Sequence, residues 1–263
     1  MHLSIEPNEH ITFGIRYQDE NVVVIEKPTR RVTDPGLGHD RDTILNGLFH
    51  HFPHQLQQLG KTRDFGLLHR LDRETSGLLV VALSKDAYDG LRAQFEDRKI
   101  AKYYWAVCRG VPNTPTGIIN RPILEQGGQQ RGSKLTAVIS SQGQPAATAF
   151  RVLTSASDVS MIEARPITGR LHQIRVHMSS IKCPILGDTF YAPKPVAATA
   201  PRVALHAHRL VFTHPVTQEP MDVRSRFPRD LVKLLNRLGL QRPDLDGSAA
   251  SSAQQDTAAD DPC

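Results

Sequence analysis

The sequence reads as short strands and separate helices in one chain, a pattern compatible with an α+β fold. Three observations frame that reading. Residues 134–140, 147–153 and 159–164 read as short strands in series with no helix between them, which favours antiparallel pairing. Apolar residues at helical spacing recur in separate stretches, around 42–52, 84–97 and 227–238. The chain has 263 residues, which suits one large domain or two small ones and can bury a sizeable core.

The elements follow in order. Residues 1–10 form an irregular lead-in. Val22-Val-Val-Ile25 is a β-branched strand that stops at Lys27-Pro28. Thr33-Asp-Pro-Gly36 is a turn. A helix over 42–52 takes Asp42 or Thr43 as cap and Pro53 as stop, with Ile44, Leu45, Leu48 and Phe49 on its apolar side. His50, His51 and His54 follow with no carboxylate or cysteine set nearby, so they read as a solvated helix end. Residues 78–83 are uniformly apolar and too short for a helix core, hence a buried strand. Ser84 caps a helix to about Asp97 with Ala87, Leu91 and Phe95 on one stripe. Residues 102–108 form an aromatic-rich strand in which Tyr104 points opposite to Tyr103 and Trp105. Residues 125–133 read as a Gly- and Gln-rich loop, 166–170 as a turn, and 203–206 and 210–213 as two short strands. A last helix opens at Phe227-Pro-Arg-Asp230 and carries Leu231, Leu234, Leu235 and Leu238 on one face. Beyond Leu240 the composition turns to Ala, Ser, Gln and Asp, so 241–263 is expected to be a disordered tail.

The net charge is +5 and the isoelectric point near 9.2. Without residues 242–263 the balance is 31 basic against 22 acidic residues, or +9. A basic body suits a polyanion, nucleic acid above all, although ordinary solubility charge is the competing reading. Three separated cysteines, with no CxxC pair, argue for a reducing compartment and against a disulfide framework or zinc ribbon. Residues 1–10 show no basic or apolar signal region and no apolar run nears the ~20 residues of a membrane helix, so no secretory signal and a cytoplasmic protein are expected.

Two polar clusters stand out. Residues 69–77 place two arginines, a histidine and two carboxylates, Asp72 and Glu74, in a loop before the buried strand. Residues 171–181 read as a helix with Leu171, Ile174, Met178 and Ile181 on one face and Arg175 inside the same arc. A guanidinium there needs a carboxylate partner, for which Asp72 and Glu74 are candidates, unless it lies at the edge and reaches outward.

His69-Arg70-Leu71-Asp72-Arg73-Glu74-Thr75-Ser76-Gly77 resembles the HRLDxxTSG motif of the RluA-type family of RNA pseudouridine synthases. Most of the chain shares the resemblance. Tyr17 to Pro28 is similar to the family's opening strand and Lys-Pro step, Lys102-Tyr103-Tyr104 to its K-x-Y strand, and Thr168-Gly169-Arg170-Leu171-His172-Gln173-Ile174-Arg175-Val176-His177 to its TGRxHQIRxH segment. Pro184-Ile-Leu-Gly-Asp188 and Leu205-His206-Ala207 follow in the family's order. The resemblance implies a pseudouridine synthase fold: an α+β chain whose central, largely antiparallel sheet is bisected by a catalytic cleft, with helices outside. The element pattern is compatible with that fold and does not by itself establish it. Residues 11–240 would be the catalytic domain.

The implied reaction is isomerisation of uridine to pseudouridine in structured RNA, in rRNA or tRNA stem-loops. The resemblance implies Asp72 as the essential aspartate, Tyr104 as the tyrosine stacking on the base and Arg175 as the ion-pair partner of the aspartate. It implies Arg70 as the residue filling the gap left by the flipped uridine. The expected partner is RNA. No cofactor, metal, membrane or obligate protein partner is expected, and the chain is expected to act as a monomer. Two departures matter. Thr29-Arg30-Arg31 follows the Lys-Pro step where relatives often carry glycine, which is expected to add positive charge near the cleft entrance. The first family motif comes within about twenty residues of the start, so no S4 RNA-binding domain is expected before it. Phe190-Tyr191-Ala192 and Ala200-Pro201-Arg202 look most similar to a short RluA subtype acting on both tRNA and large-subunit rRNA, while a TruC subtype acting on tRNA also fits. The competing functions are a non-catalytic RNA-binding protein and a glycoside hydrolase using Asp72 and Glu74, whose carboxyls would have to flank a sugar at ~5 Å.

Overall fold

The computed structural model describes residues 3–36, 38–127 and 135–243. The N-terminal half begins with strands β1 (Gly14–Gln18) and β2 (Val22–Lys27). The turn between them is fixed by the Asp19 carboxylate, which accepts the backbone N–H groups of Asn21 and Val22 at 2.8 Å. β1 carries mostly exposed residues, so it left no apolar signal to read. Helix α1 (Ile44–His51) starts at a Thr43 capping box completed by Asn46. Pro53 ends it, as expected, but also opens α2 (Pro53–Leu59), because a proline at the first helical position forfeits only an N–H with no intrahelical partner. His50, His51 and His54 are exposed.

A 3₁₀ segment, Lys61–Gly66, leads through the polar loop into β3 (Ser76–Ala82), buried along its whole length. α3 (Lys85–Glu96) is capped by the Ser84 side chain and buries Ala87, Tyr88 and Leu91. Strands β4 (Ala101–Arg109), β5 (Thr116–Asn120), β6 (Ile123–Gln126), β7 (Thr136–Ile139), β8 (Ala147–Ala156) and β9 (Val159–Pro166) follow without a helix between them. Glu125 and Gln126, expected in a loop, instead pair in β6 with Ala137 and Thr136 of β7. The remainder of that expected loop, 128–133, lies outside the described residues.

The C-terminal third contains α4 (Gln173–Ser180), α5 (Lys194–Ala197), β10 (Leu205–Thr213), β11 (Pro220–Arg224) and α6 (Arg229–Leu238). The two short strands expected at 203–206 and 210–213 are one strand, β10, with a register shift between Ala207 and Arg209. Its histidines do not interrupt it because the buried His206 and His208 are hydrogen-bonded, to Ser76 and Ser225 and to Glu163. The expected disordered tail lies outside the described residues from 244 onward.

Nine strands form one sheet in the order β1-β2-β3-β10-β4-β9-β8-β5, with β11 also on β10; β6 and β7 form a separate hairpin. All pairings are antiparallel except β3–β10, which is parallel and spans only His206↔Ser76 and Ala207↔Gly77. That short joint divides the sheet. Gly77 makes it possible: its φ is +121°, and a Cβ there would lie 2.2 Å from the Ala207 carbonyl oxygen. Among the described residues no helix is long and apolar enough to cross a membrane.

Candidate active site

Beyond the joint β3 leaves β10, and its exposed edge is covered by the chain that leads into the polar loop. Leu67 bridges to Val81, and the Val80 N–H donates to His69 Nε2 at 3.1 Å. His69 is thereby a structural ligand of the sheet. Its Nε2 accepts, so the neutral form is required, and burial pushes its pKa well down, helped by the charge of Lys102.

The loop is pinned from behind. Thr33 Oγ1 donates to the Leu71 carbonyl at 2.9 Å and accepts from the Leu71 N–H at 3.3 Å. Thr29 Oγ1 donates to the Glu74 carbonyl at 2.8 Å. Lys27, wholly buried, donates to the carbonyls of Pro28, Arg31 and Arg73 at 2.9, 2.7 and 3.3 Å. Burial lowers its pKa to about 7, against the charges of Asp72 and Glu74, which raise it. These contacts explain why a lysine ends the apolar β2 strand: in its charged form all three of its protons hold backbone around the loop.

Asp72 projects from this loop into a cleft of about 580 Å³. Arg175, from α4, reaches it from the opposite half. Arg175 Nη1 donates to Asp72 Oδ2 at 3.1 Å, while Nε and Nη2 both donate to Asp188 at 2.8 Å. The side chains of Arg175 and Asp188 are 3% and 1% exposed, and that of Asp72 is 26% exposed. Asp188 also accepts the N–H groups of Phe190 and Tyr191. The expected pairing of Arg175 with Asp72 is therefore present, but the bidentate partner is Asp188, which sequence reasoning did not single out. Glu74, the other candidate partner, does not line the cleft. Its backbone carbonyl serves the Thr29 contact instead, and the two-carboxylate glycosidase arrangement has no second member in Glu74.

Tyr104 lies on the cleft side of β4 and is buried, as alternation along the strand requires. Burial, and then the charge of Asp72, raise its pKa, so the phenol keeps its proton. Trp105 faces the other way and stacks on His208 with ring centroids 3.8 Å apart. Arg70 stands at the rim, its side chain 67% exposed and its Nη1 3.4 Å from Asp34. An exposed pair of that kind contributes little and leaves the guanidinium available. Arg98, Lys102 and Arg170 add positive charge to the cleft wall. Arg30 and Arg31, expected to charge the entrance, do not line it; Arg30 donates to the Pro201 carbonyl and the Arg31 carbonyl is held by Lys27.

The structure thus brings Asp72, Tyr104, Arg175 and Arg70 to one cleft. It adds His172, which stands in the Thr168–His177 segment with no role implied by the resemblance. Its backbone is left-handed (φ 51°) at the start of α4, its Nδ1 is 2.6 Å from the Tyr191 hydroxyl, and its Nε2 is 3.8 Å from Asp72 Oδ2. A half-buried carboxylate flanked by a neutral phenol, an imidazole and a paired guanidinium is equipped to act on an electrophilic centre next to a flat ring.

The family model of RNA pseudouridylate synthases matches residues 21–180. The chain is 36% identical to ribosomal large subunit pseudouridine synthase D of Zymomonas mobilis, over 89% of this chain and 74% of that protein. It is 37% identical to the protein of the same name from Pseudomonas aeruginosa, over 89% of this chain and 74% of that one. Among solved structures, human RNA pseudouridylate synthase domain containing 4 superposes with a TM-score of 0.67 and 30% identity, over 88% of this chain and 95% of that chain.

Proposed function

This chain belongs to the RNA pseudouridylate synthase family and is an isomerase acting on RNA, and from that premise we propose that Asp72 is its acting carboxylate. Pseudouridine holds the atoms of uridine in a different connection. The N1–C1′ bond breaks, the uracil turns, C5 bonds to C1′, C5 gives up a proton and N1 takes one. An ionised carboxylate beside the sugar serves this chemistry as nucleophile or as base. The observation that carries the reading is the chain Asp188–Arg175–Asp72. A buried guanidinium already neutralised on one side offers its third nitrogen to a carboxylate that stays open to the cleft.

Tyr104 supplies the flat, uncharged surface on which an extruded uracil stacks. Arg70, exposed on the rim beside Asp72 in sequence, enters the RNA stack in place of the departed base. Arg98, Lys102 and Arg170 meet backbone phosphates, which position without reading sequence. Residues 11–240 form the catalytic domain, acting as a cytoplasmic monomer without a cofactor. The relatives named as ribosomal large subunit synthases support a stem-loop of large-subunit rRNA as substrate, where an unpaired uridine leaves its stack at least cost.

RNA from a strain lacking this chain, incubated with the purified protein, tests the reading. Pseudouridine is mapped by chemical labelling, since the product has the mass of the substrate. Wild-type protein is expected to convert one or a few uridines in large-subunit rRNA, and Asp72→Asn none. Conversion confined to tRNA would remove the rRNA reading; conversion by Asp72→Asn would remove the aspartate.

A further inference from the structure

The two oxygens of Asp72 are not equivalent. Oδ2 accepts from Arg175 at 3.1 Å and faces His172 Nε2 at 3.8 Å, whereas Oδ1 has no hydrogen-bond partner among the described residues. What His172 presents to Oδ2 depends on where its proton sits, and the surrounding bonds decide that. The Ala137 N–H donates to the Tyr191 hydroxyl oxygen at 2.9 Å. The Tyr191 O–H has one acceptor in reach among the described residues, His172 Nδ1 at 2.6 Å. Nδ1 therefore accepts, and in the neutral ring the proton is on Nε2, the nitrogen facing Asp72. Neutrality is favoured by burial, with Arg175 and Arg70 adding to it against Asp72 and Asp188. The residue is held in place at a backbone cost, since φ of 51° is unfavourable for any side chain bearing a Cβ. Such strain persists where the surroundings over-determine it, and here the Tyr191 hydroxyl holds the ring while the Val176 N–H of α4 holds the His172 carbonyl.

We propose that His172 is a positioning residue whose Nε2–H, fixed in that tautomer by Tyr191, steadies Oδ2 of Asp72 and leaves Oδ1 as the oxygen that meets the uridine. The proposal rests on Asp72 being the acting carboxylate. The 3.8 Å separation closes to a hydrogen bond when RNA fills the cleft, as catalytic contacts commonly do on substrate binding. The role also explains why the hairpin is tied to the centre. Ala137, on β7, supplies the N–H that orients the Tyr191 hydroxyl.

Two measurements on the full chain test this. Long-range proton–nitrogen correlation of the imidazoles, with the His172 signal assigned by its loss in His172→Gln, reads the tautomer directly. The expected result at neutral pH is a protonated Nε2 and a bare Nδ1; a protonated Nδ1, or a cation, overturns the proposal. Single-turnover conversion and RNA affinity are then compared in three variants. His172→Leu is expected to lose roughly 100-fold in rate with RNA affinity unchanged. His172→Gln, which keeps an N–H donor, is expected to recover most of that loss. Tyr191→Phe is expected to fall between them and to shift the imidazole proton toward Nδ1. Equal loss in Leu and Gln variants, or loss of affinity and melting temperature in step with rate, shows a merely structural histidine. If His172→Leu does not fold, the tautomer shift and rate of Tyr191→Phe decide. Full activity in Asp72→Asn would fail the aspartate assignment itself and leave the tautomer result standing.

Discussion

At the residue scale, the site is an exercise in making a buried arginine useful. Arg175 inside an apolar arc requires compensation. Asp188 provides it with two bonds, and the remaining nitrogen is directed at Asp72. Removing the guanidinium leaves Asp188 buried without its partner, so Arg175→Met is expected to destabilise the fold by about 3–5 kcal/mol. Asp72 is partly open to solvent, and Asp72→Asn is expected to shift stability by less than about 1 kcal/mol. Urea unfolding of both variants separates the two roles; similar losses would contradict the division. Arg175 was legible in the sequence because its position in the helical arc is a misfit. Asp188 was not, because it follows Gly187 in an irregular segment with no period to break. His172 carried no signal either, since neither a left-handed backbone nor a tautomer is encoded by spacing.

At the element scale, the cleft exists because two half-sheets touch over two residue pairs. His206 strengthens the joint by bonding Ser76 on β3 and Ser225 just past β11. Gly77 sits where any side chain would collide with the Ala207 backbone. Gly77→Ala is expected to cost more than about 4 kcal/mol, at the upper end of single substitutions. A smaller change in thermal or urea unfolding would show that the joint yields. The strong elements were readable from the sequence: the buried run that became β3, the Ser84 cap, Thr43 as one of two candidate caps, and the leucine face of α6. Elements with mixed surfaces were not. β1 and β5 expose most of their residues, and β10 looked divided because its buried histidines resemble a polar break.

At the scale of the whole molecule, Lys27 links the loop, the strand end and global stability. The unfolded chain holds its proton up to about pH 10.5, the folded chain only to about 7. Between these values the unfolded state binds more protons, so the contribution of Lys27 makes stability rise with pH, by at most about 1.4 kcal/mol per pH unit. Lys27→Met is expected to lose that rise relative to wild type between pH 7 and 10.5, measured by urea unfolding at each pH. Parallel curves would show that Lys27 titrates normally. The same molecule joins a basic surface to one carboxylate that faces the cleft, Asp72, and the proposed chemistry turns on it. Single-turnover conversion of a large-subunit rRNA stem-loop, measured beside its binding affinity, tests it most directly in Asp72→Asn. Affinity close to wild type with conversion abolished is expected. Conversion within about tenfold of wild type, a difference of only some 1.4 kcal/mol in the barrier, would contradict it.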